Sequence, residues 1–362
     1  MRTGDHQALG GTRLIMAAAT SVTAFLAEVP LGEPVLLHSW HDFAALSTSD
    51  TGASYLPDAA RGFFLNGGTS AYVIGVGGES SRVARYTAGL AELEVIPEVR
   101  IVVAPDLWSS PEDAPVVARA IARHCAALGN RMAVLHTDRG LSPADAVKVP
   151  SELGLDEHVA QFLTLYYPWI TSGGTGRAAP ATGHVAGAWA RSDTRGGVQK
   201  APANENLTTV VSLERKLTDA EQGPLNAIGL NCLRSFSGRD ALIWGARTLS
   251  SDIAWRYVNV RRTANHLWES IRAGTRWAAF EPNDHRLWAS LRHTTTAFLA
   301  GQWRAGVVKG RTVDDAFSVI CDESNNTAES AKVVIDVGVA IIRPAEYVTF
   351  RVVQRSLTEQ PV

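Results

Sequence analysis

Two polar clusters and one glycine run are the residues best placed to do chemistry. His38-Ser39-Trp40-His41-Asp42 sets two imidazoles three residues apart with a carboxylate beside them. A metal needs three or four converging ligands, and no third ligand lies nearby in sequence, so the cluster reads as polar surface at a strand-to-helix turn. His184, Asp193 and Lys200 fall in a glycine-rich stretch and would form a polar site if that stretch were a lid. The plainer reading is that their hydrogen bonds pin the stretch down. Gly75-Val76-Gly77-Gly78-Glu79-Ser80 follows an apolar run and imitates half of a dinucleotide-binding fingerprint. The third glycine is missing, and Asp106 lies beyond the usual spacing of about 20 residues to a ribose-binding acid, so a glycine turn is expected.

The common nucleophile, phosphate and zinc motifs are missing: there is no GxxxxGKS/T, no GxSxG and no HExxH. Cys125, Cys232 and Cys321 are odd in number and far apart, which fits buried free thiols rather than disulfides or structural zinc. No catalytic residue, no cofactor and no metal is therefore expected.

The chain has 362 residues, 46% hydrophobic and 19% charged, enough for a sizeable core and about two domains. Its 34 basic and 36 acidic residues leave a net charge of −2, which argues against a nucleic-acid-gripping protein. Leu14–Ala27 follows Arg2 and Arg13 and superficially resembles a signal peptide, but Thr20, Ser21 and Thr23 interrupt it. It is too short to span a bilayer, and a buried strand is the expectation.

The elements that would position these groups alternate along the chain. Strands are expected at Val35–His38, Ala71–Val76, Ile101–Ala104 and Met132–Leu135. Helices are expected at His41–Leu46, at Pro57–Leu65 (stopped by Asn66-Gly67-Gly68) and at Glu112–Leu128, the last making a βαβ unit. Residues 171–206 are rich in glycine and proline and read as a long irregular segment linking two bodies or folding over a surface. Beyond them, Trp255, Val258, Leu267, Trp268 and Ile271 fall on helical spacing up to Gly274. Asn283 can cap a second helix with the stripe Leu287, Trp288, Leu291, Phe298, Leu299 and Trp303. Thr312 with Asp315 resembles a capping box. Val333–Ile342 and Tyr347–Val353 read as strands around Arg343-Pro344, where the proline suits a hinge. The fold class is mixed α/β in two bodies.

Six of the ten tryptophans fall between residues 244 and 303, interleaved with Arg247, Arg256, Arg261, Arg262 and further arginines. Tryptophan and arginine are enriched where interfaces draw most of their energy. Nearby Glu269, Glu281 and Asp284 dilute the positive field, so core or protein interface is favoured over single-stranded nucleic acid.

Several blocks together resemble contractile tail sheath proteins. They are Phe63-Phe64-Leu65-Asn66-Gly67-Gly68 with Ala71-Tyr72-Val73-Ile74, then Tyr166-Tyr167-Pro168-Trp169, Gly183-His184-Val185-Ala186-Gly187 and Lys200-Ala201-Pro202-Ala203-Asn204. The densest runs from Leu225-Asn226 through Gly229-Leu230-Asn231, Trp244–Asp252 and Trp255–Arg262 to Phe280-Glu281-Pro282-Asn283. The compact length is similar to sheaths of extracellular contractile injection systems and R-type tailocins. One departure is that Met1–Gly11 holds nothing like the Pro-Gly-Val-Tyr strand with which such sheaths begin.

The resemblance implies a structural subunit with no catalytic activity, assembled in the cytoplasm of a producing bacterium into a phage tail-like particle. Its implied partners are further copies of itself in hexameric rings stacked into a helix, an inner tube protein, and baseplate and terminal cap proteins. Nucleic acid and membrane insertion are not implied. The implied organisation is an N-terminal arm (residues 1–20), an outer α/β domain (21–204), an inner sheath core domain (205–344) and a C-terminal strand-donating arm (345–362). Candidate contacts to other subunits or the tube are Arg247, Arg256, Arg261, Arg262, Trp268, Trp303, Tyr347, Val348, Phe350 and Val352. The alternatives are a sheath paralogue at the baseplate or cap end and, more remotely, a soluble α/β enzyme with a glycine-rich lid.

Overall fold

Thr23-Ala24-Phe25-Leu26-Ala27 is buried at every position, as a strand must be when both faces of its sheet are covered. The protein is seen in a computed structural model that describes residues 14–46 and 53–346. In chain order the first part runs β1 (Thr23–Ala27), β2 (Val35–Leu37), α1 (Trp40–Ala45), α2 (Leu56–Leu65), β3 (Ala71–Gly75), α3 (Arg82–Glu94), β4 (Ile101–Val103), α4 (Ala114–Leu128) and β5 (Met132–His136). Three short helices follow, α5 (Pro143–Ala146), α6 (Val149–Glu152) and α7 (Glu157–Ala160). Then come β6 (Leu163–Tyr167), β7 (Ile170–Ser172), β8 (Ala178–Ala179), α8 (Thr182–Gly196), β9 (Glu205–Asn206) and β10 (Val210–Leu213). The remainder is α9 (Asp219–Ala227), β11 (Leu230–Phe236), β12 (Arg239–Ile243), α10 (Val258–Gly274), α11 (His285–Arg304), α12 (Val313–Ala316), β13 (Phe317–Ile320) and β14 (Asp336–Val339).

The main sheet has nine strands in the order β2-β3-β1-β4-β5-β6-β11-β12-β9. Strands β3, β1, β4, β5, β6 and β11 run parallel; β2 and β12 join this set antiparallel, and β9 pairs antiparallel with β12. Alternating residues feed opposite faces. Leu26, Ile74, Val102 and Leu135 meet Tyr86, Leu90, Val117 and Ile121 of α3 and α4. Phe25, Val73, Val103 and Val134 meet Phe63 of α2 and Val185 and Trp189 of α8. The expected βαβ unit is present as β4-α4-β5, with Gly129 closing α4 at φ +66°.

The sheet does not stop at the division expected at residues 204 and 205. β11 pairs with β6, and its Leu230 and Cys232 share one core with Leu165 and Tyr167, because the sheet gains two-sided cover by continuing. Residues 171–206 also differ from expectation. They contain the 15-residue helix α8, buried at most positions. Its glycines look like breakers in sequence, yet they make room for another backbone. A Cβ at Gly183 would stand 2.5 Å from Ala59 Cα, and one at Gly187 would stand 2.9 Å from the Phe63 carbonyl carbon. Helices α2 and α8 therefore touch backbone to backbone, closer than side chains allow.

The C-terminal elements have cores of their own. Leu267, Phe298, Leu299, Val308, Ala316 and Phe317 form one cluster, and Leu287, Trp288, Leu291 and Cys321 form another. Ile15 joins the first, lying where a side chain on Gly274 would have to be. The Thr312–Asp315 capping box is present, but Asp284 rather than Asn283 caps α11. Asn283 instead accepts from Trp288 Nε1 at 2.7 Å and donates to the carbonyl of Thr327 at 3.0 Å.

Candidate functional site

A parallel sheet in the order β3-β1-β4-β5-β6 reverses direction between β1 and β4, and the carboxyl ends at such a switch point form the ligand crevice of doubly wound folds. Here the chain fills that crevice itself. Asp106, after β4, accepts from the backbone of Tyr55 at 2.6 Å, the backbone of Glu28 at 2.9 Å and the hydroxyl of Ser54 at 2.7 Å. Burial raises its carboxyl pKa while these three donors oppose the shift. Arg82 crosses the opening, paired with Glu28 at 2.6 Å and donating to the carbonyls of Asp106 and Leu107 at 2.7 and 2.8 Å. The glycine run is a turn, as expected. A Cβ at Gly77 would stand 2.7 Å from the Val29 carbonyl carbon, so this glycine makes room for the chain's own backbone.

The histidine pair closes locally. Asp42 accepts from the His38 backbone at 2.8 Å, which helps hold its carboxyl below the ordinary range, and Ser39 caps α1. His38 Nδ1 lies 3.0 Å from Ser70 Oγ. Among the described residues, no group of three or more His, Cys, Asp or Glu could hold a metal.

The polar residues of the glycine-rich stretch scatter. His184 is buried on α8 against Gly62, neither ring nitrogen has a hydrogen-bond partner, and desolvation lowers its pKa to about 4, so it packs as a neutral ring. Lys200 pairs with Glu205 at 2.5 Å. Asp193 meets Arg262 in a two-pronged pair at 2.5 and 2.8 Å, with both side chains about 5% exposed. These residues make no common site.

Arg262 also donates to the carbonyl of Thr20 at 3.0 Å and lies over the Trp189 ring, 4.8 Å from its centroid. It belongs to a polar seam where α10 rests on the amino ends of the parallel strands. Glu269 faces Arg100 at 3.7 Å and Asn130 at 3.4 Å, and Ser270 Oγ accepts from the backbone of Ala18 at 2.9 Å. Arg261 reaches Gln161 at 2.8 Å and stacks on Trp255 and Phe162. Desolvation lowers the pKa of its guanidinium to about 10. The seam joins the N-terminal segment, the sheet and the C-terminal helices within one subunit.

The other candidates divide. Arg247 is buried on Glu346, and Arg256 donates to the Ser251 carbonyl at 3.1 Å. Trp303 is half-buried, its indole donating to the Gly310 carbonyl at 3.1 Å. Trp268 is 47% exposed, with Arg272 5.3 Å from its ring centroid. Tyr347, Val348, Phe350 and Val352 lie outside the described residues. Sequence reasoning alone misses Phe280, which is fully exposed at φ +68°, a backbone region costly for a bulky side chain. The Phe280-Glu281-Pro282-Asn283 block is visible, but nothing in it signals exposure or a positive φ.

Comparison with known proteins places this arrangement. Residues 80–249 match the model of the phage tail sheath protein central domain, and residues 250–355 match that of the phage tail sheath C-terminal domain. The two models meet where the chain passes from the sheet to the C-terminal helices. The tail sheath protein of Vibrio phage KVP40 is 27% identical over 220 residues, 58% of this chain and 31% of that one. A prophage tail sheath relative from Pseudomonas aeruginosa is 27% identical over 191 residues, 51% of this chain and 48% of that one. The chain thus spans about a third to a half of the length of the curated relatives it matches. A chain of the anti-feeding prophage helical sheath in its contracted state superposes at TM-score 0.83 with 25% identity, covering 98% of this chain and 99% of that one. With two adjoining models of one family spanning most of its sequence, the chain belongs to the phage tail sheath family.

Proposed function

We propose that this chain is the structural subunit of a contractile sheath, polymerising helically around an inner tube and shortening to drive that tube through a target envelope. The observation that carries this reading is the near-complete correspondence with the anti-feeding prophage helical sheath in its contracted state. The filled switch-point crevice supports a role without catalysis, because the fold's ordinary ligand site is spent on internal hydrogen bonds. Heterologous contacts that do not close on themselves generate an open helical filament. Contraction is then relaxation of that filament from a metastable packing to a more stable one, with no nucleotide needed in the sheath.

In this reading the N-terminal segment and the C-terminal helices face the tube, and the sheet body lies outside. The exposed side chains Trp268 and Phe280 are the proposed contacts to neighbouring chains. The strand pair β13–β14 forms a sheet of two strands, too small to be stable alone, and suits completion by a strand from another copy. Tube, baseplate and cap proteins are the further proposed partners. A sheath-fold subunit at the baseplate end is the second reading, suggested by a fold likeness to a chain of the anti-feeding prophage baseplate at TM-score 0.79.

Truncation after Glu346 tests strand donation. A segment given to a neighbour is needed only for assembly, so the shortened chain is expected to melt cooperatively and form no tubes by electron microscopy. Normal tubes would rule out donation by this end, and loss of the melting transition would put the segment in its own subunit's core.

A further inference from the structure

Glu346, the last described residue, is held to the body by contacts that neither the sheet nor the helical core requires. Its carboxylate accepts from both prongs of the Arg247 guanidinium, with Nε at 2.7 Å, and from the Tyr257 hydroxyl at 3.2 Å. The Arg247 side chain is 8% exposed and that of Glu346 17%, so solvent screens the pair weakly. Arg247 is itself fixed, its backbone donating to Asn231 Oδ1 at 2.7 Å and its Nη1 to the Asn226 carbonyl at 3.0 Å. Four residues earlier, Asn259 donates to the Ile342 carbonyl at 2.8 Å. Residues 344–346 run along one wall of a groove of about 540 Å³ that Trp244 and Tyr257 also line.

We propose that Arg247, Tyr257 and Glu346 form the anchor of the C-terminal strand-donating segment, presenting Tyr347 and the residues after it to a second copy of this chain from a rigid origin. This deepens the sheath reading and rests on it. Pro344, expected from sequence to be the hinge, lies on the body side of the clamp, in the groove wall with Ala345 and Glu346. Without the clamp, the nearest of these fixed points is Ile342. The tether then gains residues 343–346, about 13 Å at ~3.3 Å per residue in extended chain. A longer, looser tether lowers the effective concentration of the strand at its acceptor. It also adds slack that must be taken up before one subunit pulls the next.

The test uses the full chain with Glu346→Ala and Glu346→Gln. Backbone 15N relaxation of the dispersed subunit is expected to show positions 345 and 346 losing order in E346A, from rigid-backbone order parameters near ~0.85 to below about 0.6. Sedimentation is expected to show a critical concentration for tube assembly raised about tenfold in E346A, with a nearly unchanged melting temperature. E346Q, whose amide oxygen still accepts from Arg247 and Tyr257, should fall between E346A and the parent. Parent-like backbone order and assembly in E346A would overturn the proposal, as would a melting loss large enough to explain the assembly defect. If the parent chain itself forms no tubes, the sheath reading fails, and the order parameters at 345 and 346 still decide whether the clamp exists.

Discussion

Arg262→Glu is expected to abolish the cooperative melting transition, not merely the capacity to assemble. The substitution removes the partner of Asp193 and adds a second carboxylate to a site where both side chains are nearly inaccessible. Breaking a buried pair by removing one partner costs about 3–5 kcal/mol, and the like-charge contact adds to that. Total stabilities are about 5–15 kcal/mol, so little remains. The loss also frees the Thr20 carbonyl and the Trp189 face, loosening the N-terminal segment and α8 together. Arg256→Glu, on a half-exposed arginine just before α10, should shift the melt by no more than a few degrees. Thermal melting by circular dichroism separates the two. A parent-like melt for R262E would return Arg262 to the surface contacts.

The second large effect is expected from one methyl group. Gly183→Ala puts a Cβ 2.5 Å from Ala59 Cα and closer still to the Ala59 carbonyl oxygen, both backbone atoms of α2 that cannot rotate away. Helix α2 must then retreat from α8 and from the face of the sheet it covers, where Phe63 and Trp189 share one core. Overpacking of this kind costs on the order of 3 kcal/mol. Gly301→Ala is the internal comparison. Gly301 lies inside α11, and an added methyl there would meet nothing within 4 Å, so the better helix former should be neutral or stabilising by up to ~1 kcal/mol. Urea unfolding of both chains measures the difference, and equal midpoints would mean that α2 and α8 do not touch as described.

These glycines show why part of the fold is legible in the sequence and part is not. Asn66-Gly67-Gly68 sits at a chain reversal, where glycine has a local meaning, and the expected end of α2 is where the helix stops. Gly183 and Gly187 have a meaning only with respect to α2, more than a hundred residues earlier, so the same residue type taken locally suggests an irregular segment. The apolar runs of β3, β4 and β5 are visible because two-sided burial leaves few polar residues in them. Arg247, Arg261 and Arg262 stand out as a dense block that sequence alone cannot sort. Whether an arginine meets solvent or a buried carboxylate depends on partners such as Asp193 and Glu346, 69 and 99 positions away. Exposed Phe280, at φ +68° between α10 and α11, is of a residue type that signals neither exposure nor a positive φ.

Cryo-electron microscopy of the purified full-length chain at high concentration decides most directly whether this is a sheath subunit. Hollow helical tubes are expected, with residues 14–20 and helices α10 and α11 toward the lumen and the nine-stranded sheet outside. Single dispersed subunits at the same concentration, or closed rings that never stack, would contradict it.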